Sequence, residues 1–341
     1  MKRLSRALFC AVLLCLSACG AGAISDFSDY APDEAHRLTV YTSHKEEVYG
    51  PIVKEFEERT GIWVQVETGG TNELLLRIEE EADAPRCDVM FGGGVESLAA
   101  YAKRFEPYAC ADAALLKPEL RSQDDRWTPF SSLPVVLVYN PRLVADGELT
   151  GWADLLADPY RGQIAFADPA VSGSAYTALM TMLTALGGDE EELLAHFCEA
   201  LGGQTLADSG DVTQAVSSGA CSVGVTLEQS AIKAIAEGAN LALVFPKEGT
   251  SDLPDGSALV AGAPHPENAR AFLDFVLGRD VQSLVAGKLA RRTVRTDVAD
   301  REDLPSAAQP LFLEYDIARA SEKKEAILLR WAQLCGEVQA G

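Results

Sequence analysis

The chain of 341 residues is short of positive charge, of histidine and of aromatic residues. Lys and Arg number 29 against 51 Asp and Glu, a formal charge of −22. Without a basic face there is nothing to neutralise phosphate backbones, which excludes nucleic acid as a partner. An anionic membrane surface is excluded as a direct partner on the same ground. Four His and the absence of any CxxC spacing exclude a zinc-finger array. No apolar run is as long as a spanning helix requires. There is no GxSxG, no HExxH and no phosphate loop ending in GKS or GKT. Nothing therefore selects an enzyme, and no cofactor or metal is called for. What is present, 48% apolar and 23% charged residues, describes a globular protein of two domains, or of one domain with two lobes.

The first 19 residues, MKRLSRALFCAVLLCLSAC, form a targeting segment. Lys2, Arg3 and Arg6 precede an apolar stretch from Ala7 to Leu16 that is too short to span a bilayer. The ending Leu16-Ser17-Ala18-Cys19-Gly20 resembles a bacterial lipoprotein box, in which the cysteine is lipidated and becomes the new N-terminus. Cys19 is accordingly the expected lipidation site, and two or three acyl chains anchor stably. Removal of residues 1–18 takes the charge from −22 to −25. Residues 20–36 are small, polar and acidic, the composition of a flexible tether. Five further cysteines remain, Cys87, Cys110, Cys198, Cys221 and Cys335, in a compartment that permits disulfides. Cys198 with Cys221, or Cys87 with Cys110, are possible pairings between which the sequence does not choose.

From residue 37 the pattern alternates between periods of two and 3.6 residues. RLTVYT at 37–42 predicts a strand, 46–60 a helix closed by Gly61, 62–67 a strand, 73–82 a helix and 87–91 a strand, with Gly92-Gly93-Gly94 opening a further helix. Strand–helix repetition of this kind implies a mainly parallel sheet flanked by helices. LPVVLVY at 133–139 is extended. A second α/β block follows, with strands at 163–167, 223–227 and 241–245 and helices at 175–186, 190–201 and 229–237. SALVA at 257–261 is extended again, helices are expected at 266–277 and 281–287, and an amphipathic helix at 322–339 closes the chain. The expected organisation is a leader at 1–19, a tether at 20–36, one lobe from 37–132 plus 256–300, and a second from 133–255 plus 301–341.

In such sheets ligands sit beyond the carboxyl ends of strands, at helix N-termini, so the turns there are the candidate site. Ser43 with Glu46 reads as a capping box, or as a hydroxyl facing an anion next to His44. Gly69-Gly70-Thr71 and Gly92-Gly93-Gly94 allow close backbone approach. Ser172-Gly173-Ser174-Ala175 follows a strand and opens a long apolar helix, presenting two hydroxyls and several N–H groups at the positive end of its dipole. Asp208 and Ser209 occupy another strand-to-helix turn, and Glu228 ends a strand. These acids suit ligand hydroxyls or an amine.

The segments LTVYTSHKEEVYGPIVKEFEERTGI, TGGTNELLLRI, CDVMFGGGVESL, VVLVYNPRLV, GWADLLADPYRGQIAFADPAVSGSAY and GVTLEQSAIKAIAEGANLALVFPKEG together resemble extracytoplasmic solute-binding proteins of ABC importers. Those proteins have the type II periplasmic-binding fold, and members of this group bind ferric ion, 2-aminoethylphosphonate, hexose phosphates, thiamine or polyamines. The resemblance implies a monomer of two α/β lobes that closes on a small anionic solute and delivers it to a permease and ATPase. It implies that Ser172 to Ala175, with Ser43 and Thr71, hold a phosphoryl group, with Gly70 and Gly94 lining the site. Asp208, Ser209 and Glu228 then address hydroxyls or an amine. His44 matches the position of the iron-binding histidine in the ferric branch. That branch also uses an adjacent tyrosine pair, and here Gln229-Ser230-Ala231-Ile232 follows Glu228. A thiaminase-like enzyme on the same fold is the further alternative.

Overall fold

The computed structural model describes residues 32–301 and 311–340. The leader, Cys19 and residues 20–31 of the expected tether lie outside the described residues, as do residues 302–310 of the expected second lobe. Glu34–His36 form a short 3-10 turn immediately before the first strand, so the tether expected through 36 gives way to ordered chain by then.

The elements run in order as β1 (Arg37–Thr42), α1 (Glu46–Thr60), β2 (Trp63–Thr68), α2 (Thr71–Glu80), β3 (Val89–Gly94), α3 (Val95–Ala100), β4 (Phe105–Glu106), β5 (Thr128–Ser132) and β6 (Val135–Tyr139). They continue with α4 (Trp152–Leu155), β7 (Ile164–Ala165), α5 (Gly173–Leu186), α6 (Glu190–Ala200), α7 (Asp211–Ser218), β8 (Val223–Leu227), α8 (Glu228–Ala236) and β9 (Ala242–Val244). The remainder is β10 (Pro254–Val260), α9 (Pro266–Leu277), α10 (Arg279–Lys288) and α11 (Ile317–Ala340).

Two sheets organise two lobes. The first has the order β2-β1-β3-β10, with β4 and β5 both pairing β10; the second has the order β7-β8-β6-β9. β1 runs parallel to β2 and β3, whereas β10 is antiparallel to β3, β4 and β5. In the second sheet β7 and β8 are parallel and β6 is antiparallel to both β8 and β9. Each sheet thus contains one reversed strand among otherwise codirectional ones. The reversed strand is in each case the one that enters directly from the other lobe, because a chain crossing the cleft arrives from the edge at which the other strands end. The two crossings are hydrogen-bonded to each other: Leu133 N donates to Leu253 O at 3.0 Å and Thr250 Oγ1 to Val135 O at 2.6 Å.

Strand alternation distributes side chains to the two faces of each sheet. Leu38, Val40, Val89 and Phe91 pack under α1 and α9 with Ile52, Phe56 and Phe272, while Tyr41 and Met90 face α2 and α3 with Leu74, Leu75 and Leu98. β6 reads VVLVY without a polar residue because both faces are covered. Val135, Leu137 and Tyr139 join the cluster of Trp152, Phe166, Tyr176, Phe197 and Trp331, and Val136 and Val138 join that of Val212 and Val216.

Several sequence expectations change. Gly92, Gly93 and Gly94 complete β3 rather than opening a helix, which begins at Val95. β4 and β5 have no strand signal of their own, since β4 is two residues long and β5 carries Pro129 and two serines. The closing helix starts at Ile317, not 322. Cys87 and Cys110 lie in clusters on opposite faces of the first sheet, which rules out their pairing. Cys198 lies against Cys335, not Cys221.

Trp331 is buried between Phe166 and Phe197, with ring centroids 5.9 Å from each. Its loss leaves a cavity that the two helices and the sheet around it cannot close. Trp331→Ala is expected to lower stability by about 3–5 kcal/mol, as a shift in urea midpoint with unchanged slope.

Candidate functional site

The cleft between the lobes has a volume of about 1030 Å³. The first lobe contributes the turns after β1, β2 and β3, together with Asp255 on β10 and Arg291 beyond α10. The second contributes the loop before α5, the turn at 207–211 and the first turns of α8. Every one of these turns leads from a strand or bridge into a helix, so the walls are rich in first-turn N–H groups.

The helix start at α5 is the most completely built wall. Ser172 is its N-cap, and the Ser172 Oγ accepts from Ala175 N at 3.3 Å and lies 3.1 Å from the Ser174 Oγ. The N–H groups of Gly173 and Ser174 have no acceptor among the described residues. Ser172, Gly173 and Ser174 line the cleft. Ala175 does not: its N–H is taken by the cap and its side chain is buried in the second lobe. Gly70 and Thr71 face this wall from the first lobe. A β-carbon added at Gly173 would lie 3.0 Å from Thr71 Oγ1, and one at Gly70 would lie 3.3 Å from Val171 O. Asn72 Nδ2 donates to Ala170 O at 2.7 Å, joining the same two segments. Gly94 lines the cleft beside Thr177, whose hydroxyl bonds Glu96.

Ser43 lines the cleft but caps nothing, because the N-cap of α1 is Lys45. Its hydroxyl is thereby left to the cleft, and the capping-box reading is corrected. His44 is buried against Phe91 and Phe130, with ring centroids at 4.6 and 5.3 Å. Its Nε2 lies 3.4 Å from Asp255 Oδ2 and makes no hydrogen bond. Burial, reinforced by the nearby Arg291, pushes its pKa well down, so the ring is neutral. Asp208 and Ser209 line the opposite wall. The Asp208 carboxylate accepts from Lys45 Nζ at 2.6 Å and from Gly210 N at 2.7 Å, and the lysine holds it below the usual carboxylate range.

Glu228 does not face the cleft. It is buried and bound in a two-pronged pair by Arg292, Nε to Oε2 at 2.7 Å and Nη2 to Oε1 at 2.8 Å. A buried carboxylate requires such a partner, and the planar guanidinium supplies both bonds. Its neighbours Gln229 and Ser230 line the cleft instead. The sequence reading also missed Asp255, Arg291, Lys45 and Lys233, all of which line the cleft. Asp255 accepts from Ser131 N at 2.8 Å, Ser131 Oγ at 2.7 Å and Arg291 Nη1 at 2.7 Å; burial pushes its carboxyl up and Arg291 opposes this. An acid two residues ahead of the apolar run SALVA was the available signal. Lys233 pairs with Glu47 across the cleft, whereas Glu46 and Asp211 on its rim have no cationic partner among the described residues.

Behind the cleft α11 reaches from the second lobe into the first. The Lys324 Nζ donates to Asn72 Oδ1 and Ser97 Oγ, each at 2.7 Å, and lies 5.2 Å from the Tyr176 ring centroid. Glu96 and Tyr176 are titratable groups beside it. Burial pushes Lys324 down to about 8 against the pull of Glu96. Among the described residues no group of three or more His, Cys, Asp or Glu is gathered to hold a metal ion, and no helix is long and apolar enough to cross a membrane.

The sequence profile of bacterial extracellular solute-binding proteins matches residues 38–288, and the chain belongs to that family. It is a two-lobed, type II solute receptor of the ABC-importer kind, extracytoplasmic and built to bind rather than to catalyse. Among relatives, the Fe(3+)-binding periplasmic protein of Serratia marcescens is 26% identical over 271 residues, covering 76% of this chain and 79% of that one. A Salmonella typhi periplasmic protein provisionally named for 2-aminoethylphosphonate binding is 23% identical over 260 residues, covering 74% and 76%. Among solved structures, the fold resembles the periplasmic binding protein AfuA of Actinobacillus pleuropneumoniae with fructose-6-phosphate bound. The TM-score is 0.81, with 22% identity over 88% of this chain and 98% of that one. The ferric binding protein of Campylobacter jejuni gives a TM-score of 0.77 at 18% identity, covering 87% and 99%.

Two predictions test the interlobe geometry. The side chain introduced by Gly173→Val meets Thr71 across the cleft, so that variant is expected to have a larger radius of gyration than wild type in small-angle scattering. Lys324 has a lower pKa in the folded protein, about 8, than its ordinary 10.5. Between those values the native state holds fewer protons than the unfolded chain, so this residue makes stability rise with pH across that window. The contribution is about 3 kcal/mol at most. Urea midpoints of wild type and Lys324→Met, compared across that pH range, should differ by a term that grows with pH in favour of wild type.

Proposed function

We propose that this receptor captures a small phosphorylated or phosphonate solute, a sugar phosphate or 2-aminoethylphosphonate, by closing its lobes on it. The solute is then handed to the permease and ATPase of its importer. The observation that carries the reading is the α5 N-terminus, where the unclaimed N–H groups of Gly173 and Ser174 and the hydroxyls of Ser172 and Ser174 face the cleft. Such a nest favours a compact anion. Ser43 and Thr71 approach from the first lobe. Asp208, Ser209, Glu46 and Asp211 line the cleft too and suit hydroxyls or an amine. The similarly folded AfuA with fructose-6-phosphate bound and the relative provisionally named for 2-aminoethylphosphonate support the same class. Glu228, engaged by Arg292, has no part in it.

Ferric ion is the second reading, favoured by the neutral, unpartnered His44 Nε2 beside Asp255 and by the iron-binding relatives. Fe³⁺ prefers hard oxygen ligands, and the Gln229-Ser230 pair offers no phenolate. We further propose that Cys19 carries a lipid anchor holding the receptor to the membrane.

A thermal-shift panel on the mature chain discriminates the readings, with glucose 6-phosphate, fructose 6-phosphate, 2-aminoethylphosphonate, inorganic phosphate, thiamine, spermidine and ferric citrate. A phosphate ester or phosphonate at 100 times its dissociation constant should stabilise by about 2.7 kcal/mol. Ser174→Asp, which sets a carboxylate at the nest, should abolish that shift. A shift with ferric citrate alone, retained in Ser174→Asp, transfers the function to iron.

A further inference from the structure

We infer that Cys198 and Cys335 are joined by a disulfide bond in the exported protein, which staples the last helix to the second lobe. The two Sγ atoms lie 2.7 Å apart, well inside the distance of two non-bonded sulfurs. Both residues are buried in the second lobe's core beside Phe197 and Trp331. Their helices, α6 and α11, are brought together at the backbone as well. Gly203, just past the end of α6, has φ +69°, and a β-carbon there would lie 2.9 Å from Cys335 O. Gly203 N bonds back to Cys198 O at 3.0 Å, and Gln339 bonds Gly203 O. The approach is therefore set by main chain on both sides and not by the reach of one side chain.

The other cysteines have different surroundings. Cys87 Sγ donates to Val89 O at 3.2 Å, Cys110 lies 3.3 Å from Thr128 Oγ1, and Cys221 sits in a turn between α7 and β8. The extracytoplasmic location of the family supplies an oxidising compartment.

The oxidant is a thiol oxidoreductase carrying an exposed disulfide, acting before the core closes. The thiolate of one cysteine of the pair attacks one oxidant sulfur and expels the other as a thiolate, giving a mixed disulfide. The thiolate of the second cysteine then attacks the Sγ of the first and displaces the oxidant's first sulfur. Two protons and two electrons leave the pair, and the oxidant is reduced to its dithiol. The staple closes a loop that takes in α7 to β9 of the second lobe, the whole return through the first lobe and most of α11. It also fixes the helix whose Lys324 reaches Asn72 and Ser97 of the first lobe, so it anchors the arm behind the cleft.

The test is a peptide map of the full chain, exported by a host with an oxidising envelope, unfolded in guanidinium with a maleimide and without reductant. The expected result is maleimide on Cys87, Cys110 and Cys221, and one linked peptide pair containing Cys198 and Cys335, lighter than the two free-thiol peptides together by two hydrogens. Reductant should lower the melting temperature of wild type by on the order of 5–10 °C and leave that of Cys198→Ser/Cys335→Ser unmoved. Maleimide on all five cysteines, or a linked pair of Cys198 with Cys221, overturns the assignment.

Discussion

Two consecutive arginines that face opposite lobes hold the molecule's crossing point together. Arg291 binds Asp255 in the first lobe, and Arg292 binds Glu228 at the head of α8 in the second. All three of Asp255, Arg291 and Glu228 are buried, so each ion pair is one that cannot lose a partner without stranding a charge. Removing one member of such a pair costs about 3–5 kcal/mol. Arg292 also bridges Ser132, the last residue of β5 before the chain crosses. The return strand, β10, carries Asp255. One dipeptide therefore touches the outgoing crossing, the returning crossing and the second lobe. The relation of the two sheets depends on it.

Around that fixed point the lobes meet through contacts of unequal weight. The rim pairs Lys45–Asp208 and Lys233–Glu47 are solvent-exposed, and such pairs are worth little. The close approaches of Gly173 to Thr71 and of Gly70 to Val171 are permissive, since absent β-carbons let the walls touch without adding attraction. The buried Lys324 carries an unfavourable desolvation that its bonds to Asn72 and Ser97 offset in part. No single cross-cleft contact dominates closure. A population balance of that kind is what a bound solute can shift by touching both walls.

Much of this was legible in the sequence where the cause is local. The alternation of RLTVYT with the Val48, Ile52, Phe56 stripe fixes a strand and the helix that covers it. The Ser172-Gly173-Ser174 turn reads as a helix start whatever lies elsewhere. What failed was non-local. Glu228 looked like a strand-end carboxylate open to a ligand, and its partner lies 64 residues away. Ser43 had the spacing of a cap, but the helix begins two residues later than that pattern needs. β4 and β5 are strands only because β10 offers them an edge. The Cys198–Cys335 proximity is tertiary by nature, and no spacing rule brings those two helices side by side.

The strong negative charge of the chain sits uneasily with an anionic solute until distance is considered. Screening over about 8 Å at physiological salt removes most of the long-range repulsion. At contact the nearest groups decide, and those at the α5 wall are N–H donors and hydroxyls. The acids are placed elsewhere: Asp208 is held by Lys45, Asp255 by Arg291, and Glu46 and Asp211 stand on the rim. Under the proposed reading the donors at the start of α5 take the phosphoryl group, while acids from both lobes, Glu46 from the first and Asp208 and Asp211 from the second, take the rest of the solute. The cleft then discriminates against a bare anion as much as it favours a phosphoryl group. A solute carrying hydroxyls or an ammonium at a few bonds' distance from its phosphorus satisfies both sets of groups at once, whereas inorganic phosphate leaves Glu46 and Asp211 without a partner. The frame shared with iron-binding relatives supplies the turns. The identity of the residues placed on them is what separates one solute from another.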